Sequence, residues 1–142
     1  MNQKQTARAT TERQQASVLI ASHSGRMRDS LRLLLAAAPG VEVVGCADDS
    51  ASALIKVADL YPDLLLLDAN LPGADMTTVL EKVRSNGSRP RCLVLVDTQR
   101  QQRDALAAGA DAVLIKGYPT TKLFETIRDL MVKEQSLRNE SR

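Results

Sequence analysis

Residues 64–73 read LLLLDANLPG, and the fold of the chain turns on them. Four consecutive leucines without polar alternation describe a short strand buried on both faces, as the central strands of a parallel sheet are. The run ends on Asp68, and Ala69, Asn70, Leu71, Pro72 and Gly73 follow as a turn with little freedom of its own. A carboxylate at the carboxyl end of a central parallel strand sits in the crevice where open α/β sheets place their chemistry. The plainer reading is an Asp that closes a strand and opens a turn, and the flanking sequence decides between the two.

On the N-terminal side, Ser17 to Ser22 (SVLIAS) reads as a buried strand, and Met27, Leu31, Leu34 and Leu35 recur at helical spacing between Arg26 and Ala38. Pro39-Gly40 stops that helix. Val41 to Cys46 reads as a second strand, and Asp48, Asp49 and Ser50 offer N-caps for a helix running to about Tyr61, closed by Pro62. On the other side, a helix over Met76 to Arg84 ends at Ser85-Asn86-Gly87, a fourth strand covers Arg91 to Val96, and a polar helix from Thr98 to Ala108 ends at Gly109. Asp111 to Ile115 is a short fifth strand. After Lys116-Gly117-Tyr118-Pro119 a last helix starts at Thr120 or Thr121 and runs to about Lys133.

Five strands alternating with five helices through short loops imply a doubly wound parallel sheet with right-handed crossovers. The flavodoxin-like strand order 2-1-3-4-5 suits five strands best. It brings Ser22, His23, Asp68, Val96 and Asp97 together at the carboxyl ends, with Lys116 arriving from the fifth strand. The small polar loop Ser22-His23-Ser24-Gly25 is of a kind that binds anions before a helix, although an N-cap role for Ser22 or Ser24 is the simpler reading. With only Tyr61, Tyr118 and Phe124 as aromatics, a stacked flavin is disfavoured.

The 142 residues hold one domain. Residues 1–16 lack hydrophobic patterning and read as a disordered tail, residues 17–132 as the domain, and residues 133–142 as a C-terminal tail or linker. The net charge of +2 resides in the tails, which carry +2 and +1 and leave the folded part near −1. A folded part without a basic face argues against nucleic-acid contact by this segment. No apolar run long enough to span a membrane is present, and the polar N-terminus is unlike a signal peptide. Cys46 and Cys92 lie in apolar runs and read as core thiols, which fits a cytoplasmic location.

Over roughly residues 17–132 the sequence resembles the receiver domain of two-component response regulators. The resemblance is carried by VLIASHSGRMRDSLRLLL (18–35), the LLLLDANLPG strand and turn, and GADAVLIKG (109–117) with its lysine. The stretch VEVVGCADDSASAL (41–54) looks most like receivers that precede a LuxR/NarL-type helix-turn-helix output domain. The resemblance implies a non-enzymatic regulator in bacterial phosphorelay signalling, with a sensor histidine kinase or another signalling protein as partner. Asp68 falls on the phosphoacceptor position and Lys116 on that of the lysine that steadies the phosphoryl group. In the family Mg²⁺ is held by that aspartate, a backbone carbonyl that falls on Asn70, and an acidic pair after the first strand. That pair is replaced here by Ser22 and His23, so the Mg²⁺ site is expected to be lost and no cofactor is implied. Asp48 and Asp49 follow an edge strand two steps away and are no substitute. The family's switch hydroxyl falls on Val96 and its rotating aromatic on Val113, and neither valine can act in that way. Asp97, beside Val96, is expected to face solvent or to cap the next helix.

Asp68 without magnesium needs a partner, for which Lys116 is the natural candidate and His23 the second; zinc or nickel on His23 and Asp68 lacks further ligands. The reading that follows is an atypical receiver, a pseudo-receiver acting by protein contact without Mg²⁺-dependent phosphorylation. The alternative is a phosphoacceptor at Asp68 that controls a DNA-binding output; a flavodoxin-like ligand binder is a distant third. A homodimer is expected to use the last helix, with its Leu123, Ile127, Leu130 and Met131, rather than the polar helix that carries Arg103.

Overall fold

The computed structural model describes residues 15–23, 25–85 and 90–140, with side chains described as far as residue 132. The elements are β1 (Ala16–Ala21), α1 (Arg26–Ala36), β2 (Val41–Ala47), α2 (Ser50–Leu60), β3 (Leu64–Asp68), α3 (Met76–Ser85), β4 (Arg91–Val96), α4 (Gln99–Ala107), β5 (Ala112–Ile115) and α5 (Thr120–Glu140). All strand pairs are parallel and the order is β2-β1-β3-β4-β5. This is the flavodoxin-like doubly wound sheet expected from the alternation of strand and helix patterns.

Every residue of β3 is buried because its leucines serve two cores in turn. Leu65 and Leu67 pack with Val57, Val79, Leu80 and Ala105 from α2, α3 and α4. Leu64 and Leu66 pack with Leu31, Leu35, Leu123 and Ile127 from α1 and α5. Burying each leucine contributes about 1.5–3 kcal/mol, so the run that reads as unbroken hydrophobicity is the seam of the domain. Cys92 is buried, which pushes its thiol up to about 12, while Cys46 on the edge strand is only partly so.

Two boundaries move. Ala16, expected in the N-terminal tail, is the first residue of β1; it is buried, and its N–H donates to the carbonyl of Gly40 at 2.7 Å. At the other end α5 continues past Lys133 to Glu140. No proline or glycine interrupts that stretch, and Lys, Glu, Gln, Leu and Arg all favour helix. The proposed disorder of residues 1–14 and the stop at Asn86-Gly87 lie outside the described residues.

Turns at the top of the sheet fix the site. Asp49 caps α2 by accepting from the Ser52 N–H at 2.8 Å. Asp48 is not a second cap but pairs with Arg28 of α1. Ser50 ties the start of α2 to the turn after β3: its N–H donates to the Pro72 carbonyl at 2.9 Å, and its hydroxyl accepts from the Ala74 N–H at 2.8 Å.

Candidate functional site

Asp68, the last residue of β3, is 7% exposed. Its Oδ1 accepts from the Asn70 N–H at 2.9 Å, which closes the turn on itself, and from Lys116 Nζ at 2.9 Å. Lys116 is held in turn by its backbone, whose N–H donates to the Val96 carbonyl at 2.7 Å as a continuation of the β4–β5 ladder. The pairing of Asp68 with Lys116 is therefore direct, and it draws on two strands that lie two positions apart in the sheet.

Lys116 has a second carboxylate. Its Nζ lies 3.3 Å from Asp97 Oδ1, and Asp97 Oδ2 accepts from the side-chain amide of Asn70. Gln101, in the first turn of α4, closes a ring: its Oε1 accepts from the Asp97 N–H at 2.7 Å and its Nε2 donates to Asn70 Oδ1 at 3.2 Å. The hydrogen bond from the Asn70 amide, the largest cause, holds the Asp97 carboxyl below the usual carboxylate range; desolvation opposes it, and the charge and hydrogen bond of Lys116 add smaller lowering effects. Asp97 faces solvent, as the sequence suggested, but it is held there by Asn70 and Lys116 and is not the cap of α4. The cap is Thr98, whose hydroxyl accepts from the Gln101 N–H at 3.1 Å.

Val96 does not face the crevice. Asp68 is in register with Leu95, and residues paired across a parallel ladder share a face while their successors alternate. Val96 consequently points to the opposite side, fully buried with Val79, Val83 and Ala105, and Asp97 returns to the side of Asp68. The end of an apolar run reveals where a strand ends but not which face its last residue takes, and the face of Val96 follows from the register alone. Val113, in register with Val94, packs half-buried against the cluster that contains Ala105 and Ala108 of α4 and its flank.

Ser22 and His23 diverge. Ser22 follows Ala21, the last residue of β1, which is in register with Leu67, so it leaves the neighbouring strand at the level of Asp68. Its N–H donates to the Ala47 carbonyl at 3.0 Å, and its hydroxyl is buried with no hydrogen-bond partner among the described residues. It is not the N-cap of α1; Gly25 holds that place with no side-chain bond, and Ser24 lies outside the described residues. His23 is exposed and makes no hydrogen bond or ion pair with Asp68 among the described residues. Of the two candidate partners for Asp68, Lys116 is the one engaged.

Two residues of the site went unrecognised in the sequence. Gln101 is one of several polar residues in the TQRQQRD run, with nothing to mark it. Tyr118 lies two residues beyond Lys116, half-buried against the α1–α5 core. Burial pushes its phenol upward, and the carboxylate of Asp68 pushes it further; the short Lys-Gly-Tyr spacing was the available signal.

The donors around Asp68 suit a hard divalent cation poorly. Such an ion favours several oxygen ligands with carboxylate charge among them. Ser22 supplies a neutral hydroxyl, His23 is exposed and supplies a nitrogen rather than a carboxylate, and the Asp97 carboxylate is committed to Asn70 and Lys116. Among the described residues no three His, Cys, Asp or Glu side chains gather in a metal-binding group.

The response regulator receiver domain model matches residues 18–128. A protein-glutamate methylesterase/protein-glutamine glutaminase of Myxococcus xanthus is 40% identical over 114 residues, covering 80% of this chain and 33% of the relative. The nitrate/nitrite response regulator protein NarL of Escherichia coli K12 is 29% identical over 125 residues, covering 86% of this chain and 57% of the relative. The chain thus spans about a third of the methylesterase and just over half of NarL. Among solved structures, the signal receiver domain of NarL from Mycobacterium tuberculosis superposes with a TM-score of 0.76 at 30% identity, covering 82% of this chain and 95% of that one. The response regulator domain of Thermotoga maritima CheB shares the fold with a TM-score of 0.75 at 24% identity, covering 82% of this chain and 96% of that one. No helix among the described residues is long and apolar enough to cross a membrane. The sheet order, the Asp68–Lys116 pair in its crevice and the match over 18–128 lead to one conclusion: the chain belongs to the response regulator receiver domain family.

Proposed function

We propose that this receiver domain is a pseudo-receiver, acting in two-component signalling by protein contact and not by Mg²⁺-dependent phosphorylation. The observation that carries this reading is the state of Lys116, whose ammonium is shared by Asp68 and Asp97. A carboxylate attacks phosphorus only where the charge that accumulates is neutralised. Here the one lysine at the nucleophile already faces two carboxylates, the Mg²⁺-binding acids are replaced by Ser22 and His23, and an incoming phosphoryl dianion meets Asp97 beside its target. The partners of such a module are signalling proteins, a sensor histidine kinase among them, and a second copy of the chain through α5. The near-neutral folded part favours no direct contact with nucleic acid.

A second reading is supported by the buried Asp68 with Lys116 at 2.9 Å, an arrangement suited to a phosphoacceptor. In that case Asp68 accepts a phosphoryl group and controls an output such as the DNA-binding one of NarL-type regulators. Intact mass after incubation with acetyl phosphate and Mg²⁺ separates the two. The first reading expects no stable gain; a gain of one phosphoryl group that disappears in Asp68→Ala establishes the second.

A further inference from the structure

The ring made by Asp97, Asn70 and Gln101 joins three segments at the top of the sheet: the turn after β3, the end of β4, and the first turn of α4. Each contact uses a different atom. Asp97 gives its N–H to Gln101 and its Oδ2 to Asn70, Asn70 gives its Oδ1 to Gln101, and Asp97 keeps Oδ1 for Lys116. None of these bonds involves the Asp68 carboxylate, which reaches the ring only through Lys116 and the Asn70 backbone.

We propose that Asp97 is a fixed anion that clasps the first turn of α4 to the turn after β3, so that the placement of α4 is set by this ring and is insensitive to the charge on Asp68. The face on which the sheet places Asp97 is the reason. A neutral side chain there would have no charge of its own with which to hold Lys116. A carboxylate that carries its own charge holds Lys116 at all times, and it brings Asn70 and Gln101 with it. Side chains so arranged restrain α4 even when the β3 aspartate is neutral. Asp97 and Gln101 are positioning residues in this device, and the inference holds whether or not Asp68 accepts a phosphoryl group.

Amide hydrogen exchange on the intact chain tests it, read at residue 97, whose N–H lies in the ring, and at Gln101 and Gln102 of α4, with the β3 amides as an internal measure of global stability. Asp97→Ala and Gln101→Ala should each speed exchange at these α4 positions by about fivefold or more with β3 unchanged, and Asp68→Asn should leave them within about twofold of the wild type. Rates in Asp97→Ala and Gln101→Ala that match the wild type overturn the proposal. So does an Asp68→Asn variant that loosens α4 as much as Asp97→Ala, because α4 then answers to Asp68. Of the two substituted residues Asp97 is exposed and Gln101 half-buried, so the variants are expected to fold; a loss of β3 protection in both would show the ring to be part of global stability and would likewise overturn the proposal.

Discussion

Tyr118 couples to Asp68 without a direct hydrogen bond among the described residues, through burial and the field of the carboxylate. Its folded value lies above the ordinary 10.0 of a phenol. The neutral phenol therefore contributes stability that is fully present below the ordinary value and is lost as pH rises through the raised one. Because Tyr61 is the other tyrosine and is exposed, Tyr61→Phe leaves a single phenol to follow by ultraviolet titration. In that background the phenol should titrate above 10.0, and Asp68→Asn should bring it down part of the way, since burial, the larger cause, remains. A titration unmoved by Asp68→Asn would mean that Tyr118 does not sense the crevice. Asp97 has the opposite sign: its carboxyl is lowered, so its contribution is present above the ordinary carboxylate range and is lost as pH falls through the lowered value.

The turns and helices around the sheet differ in how much substitution they tolerate. Gly73 has φ of 106°, and a Cβ there would stand 2.2 Å from Ser50 Oγ, the atom that accepts from the Ala74 N–H. Gly117 has φ of 100° with nothing within 4 Å of its Cβ position. Gly117→Ala should cost only the backbone strain, about 1 kcal/mol, whereas Gly73→Ala must also displace Ser50 from the start of α2 and should cost about 3 kcal/mol. Urea denaturation of the two variants measures the difference, and equal costs would show that Ser50 moves without loss. In α5, Leu123, Ile127 and Leu130 are consumed by the core and Met131 packs against it, leaving Val132, 59% exposed, as the large apolar residue free to meet a partner among the described side chains of the helix. If the chain dimerises through α5, Val132→Glu should lower the association seen by sedimentation and Arg103→Glu on α4 should not. The reverse pattern would place the interface on α4.

For the whole molecule, the charge at the top of the sheet governs its relation to metal. A crevice with three carboxylates is strained by like-charge repulsion in the absence of a cation. Ser22 and His23 remove two of these charges, and Asp97, the acid that does enter, is matched by Lys116 and Asn70. The wild type should therefore melt at the same temperature with and without Mg²⁺ at fixed ionic strength. The double variant Ser22→Asp/His23→Asp should be less stable without metal and should recover about 1.4 kcal/mol at Mg²⁺ concentrations ten times its Kd. A wild type stabilised by Mg²⁺ to the same extent, with the effect abolished by Asp68→Asn, would show that Asp68 holds the ion through other ligands.

The amino-acid sequence by itself determined the alternation of five strands with five helices, favoured the order of the sheet, and offered Lys116 ahead of His23 as the partner of Asp68. Those rest on hydrophobic period, on glycine and proline punctuation, and on the ends of strands, all of which are local properties legible along a chain. The four leucines of β3 describe a strand covered on both faces, and they put the aspartate that follows them at the mouth of the crevice. Tertiary structure alone decided which residue at the end of β4 turns toward Asp68, because the face taken by Val96 or Asp97 is fixed by the register of β3 with β4, a relation between segments distant in sequence. It also decided that Gln101 rather than its polar neighbours reaches Asn70 and that His23 stays in solvent, since a hydrogen bond depends on where two loops meet in space and not on the composition of either.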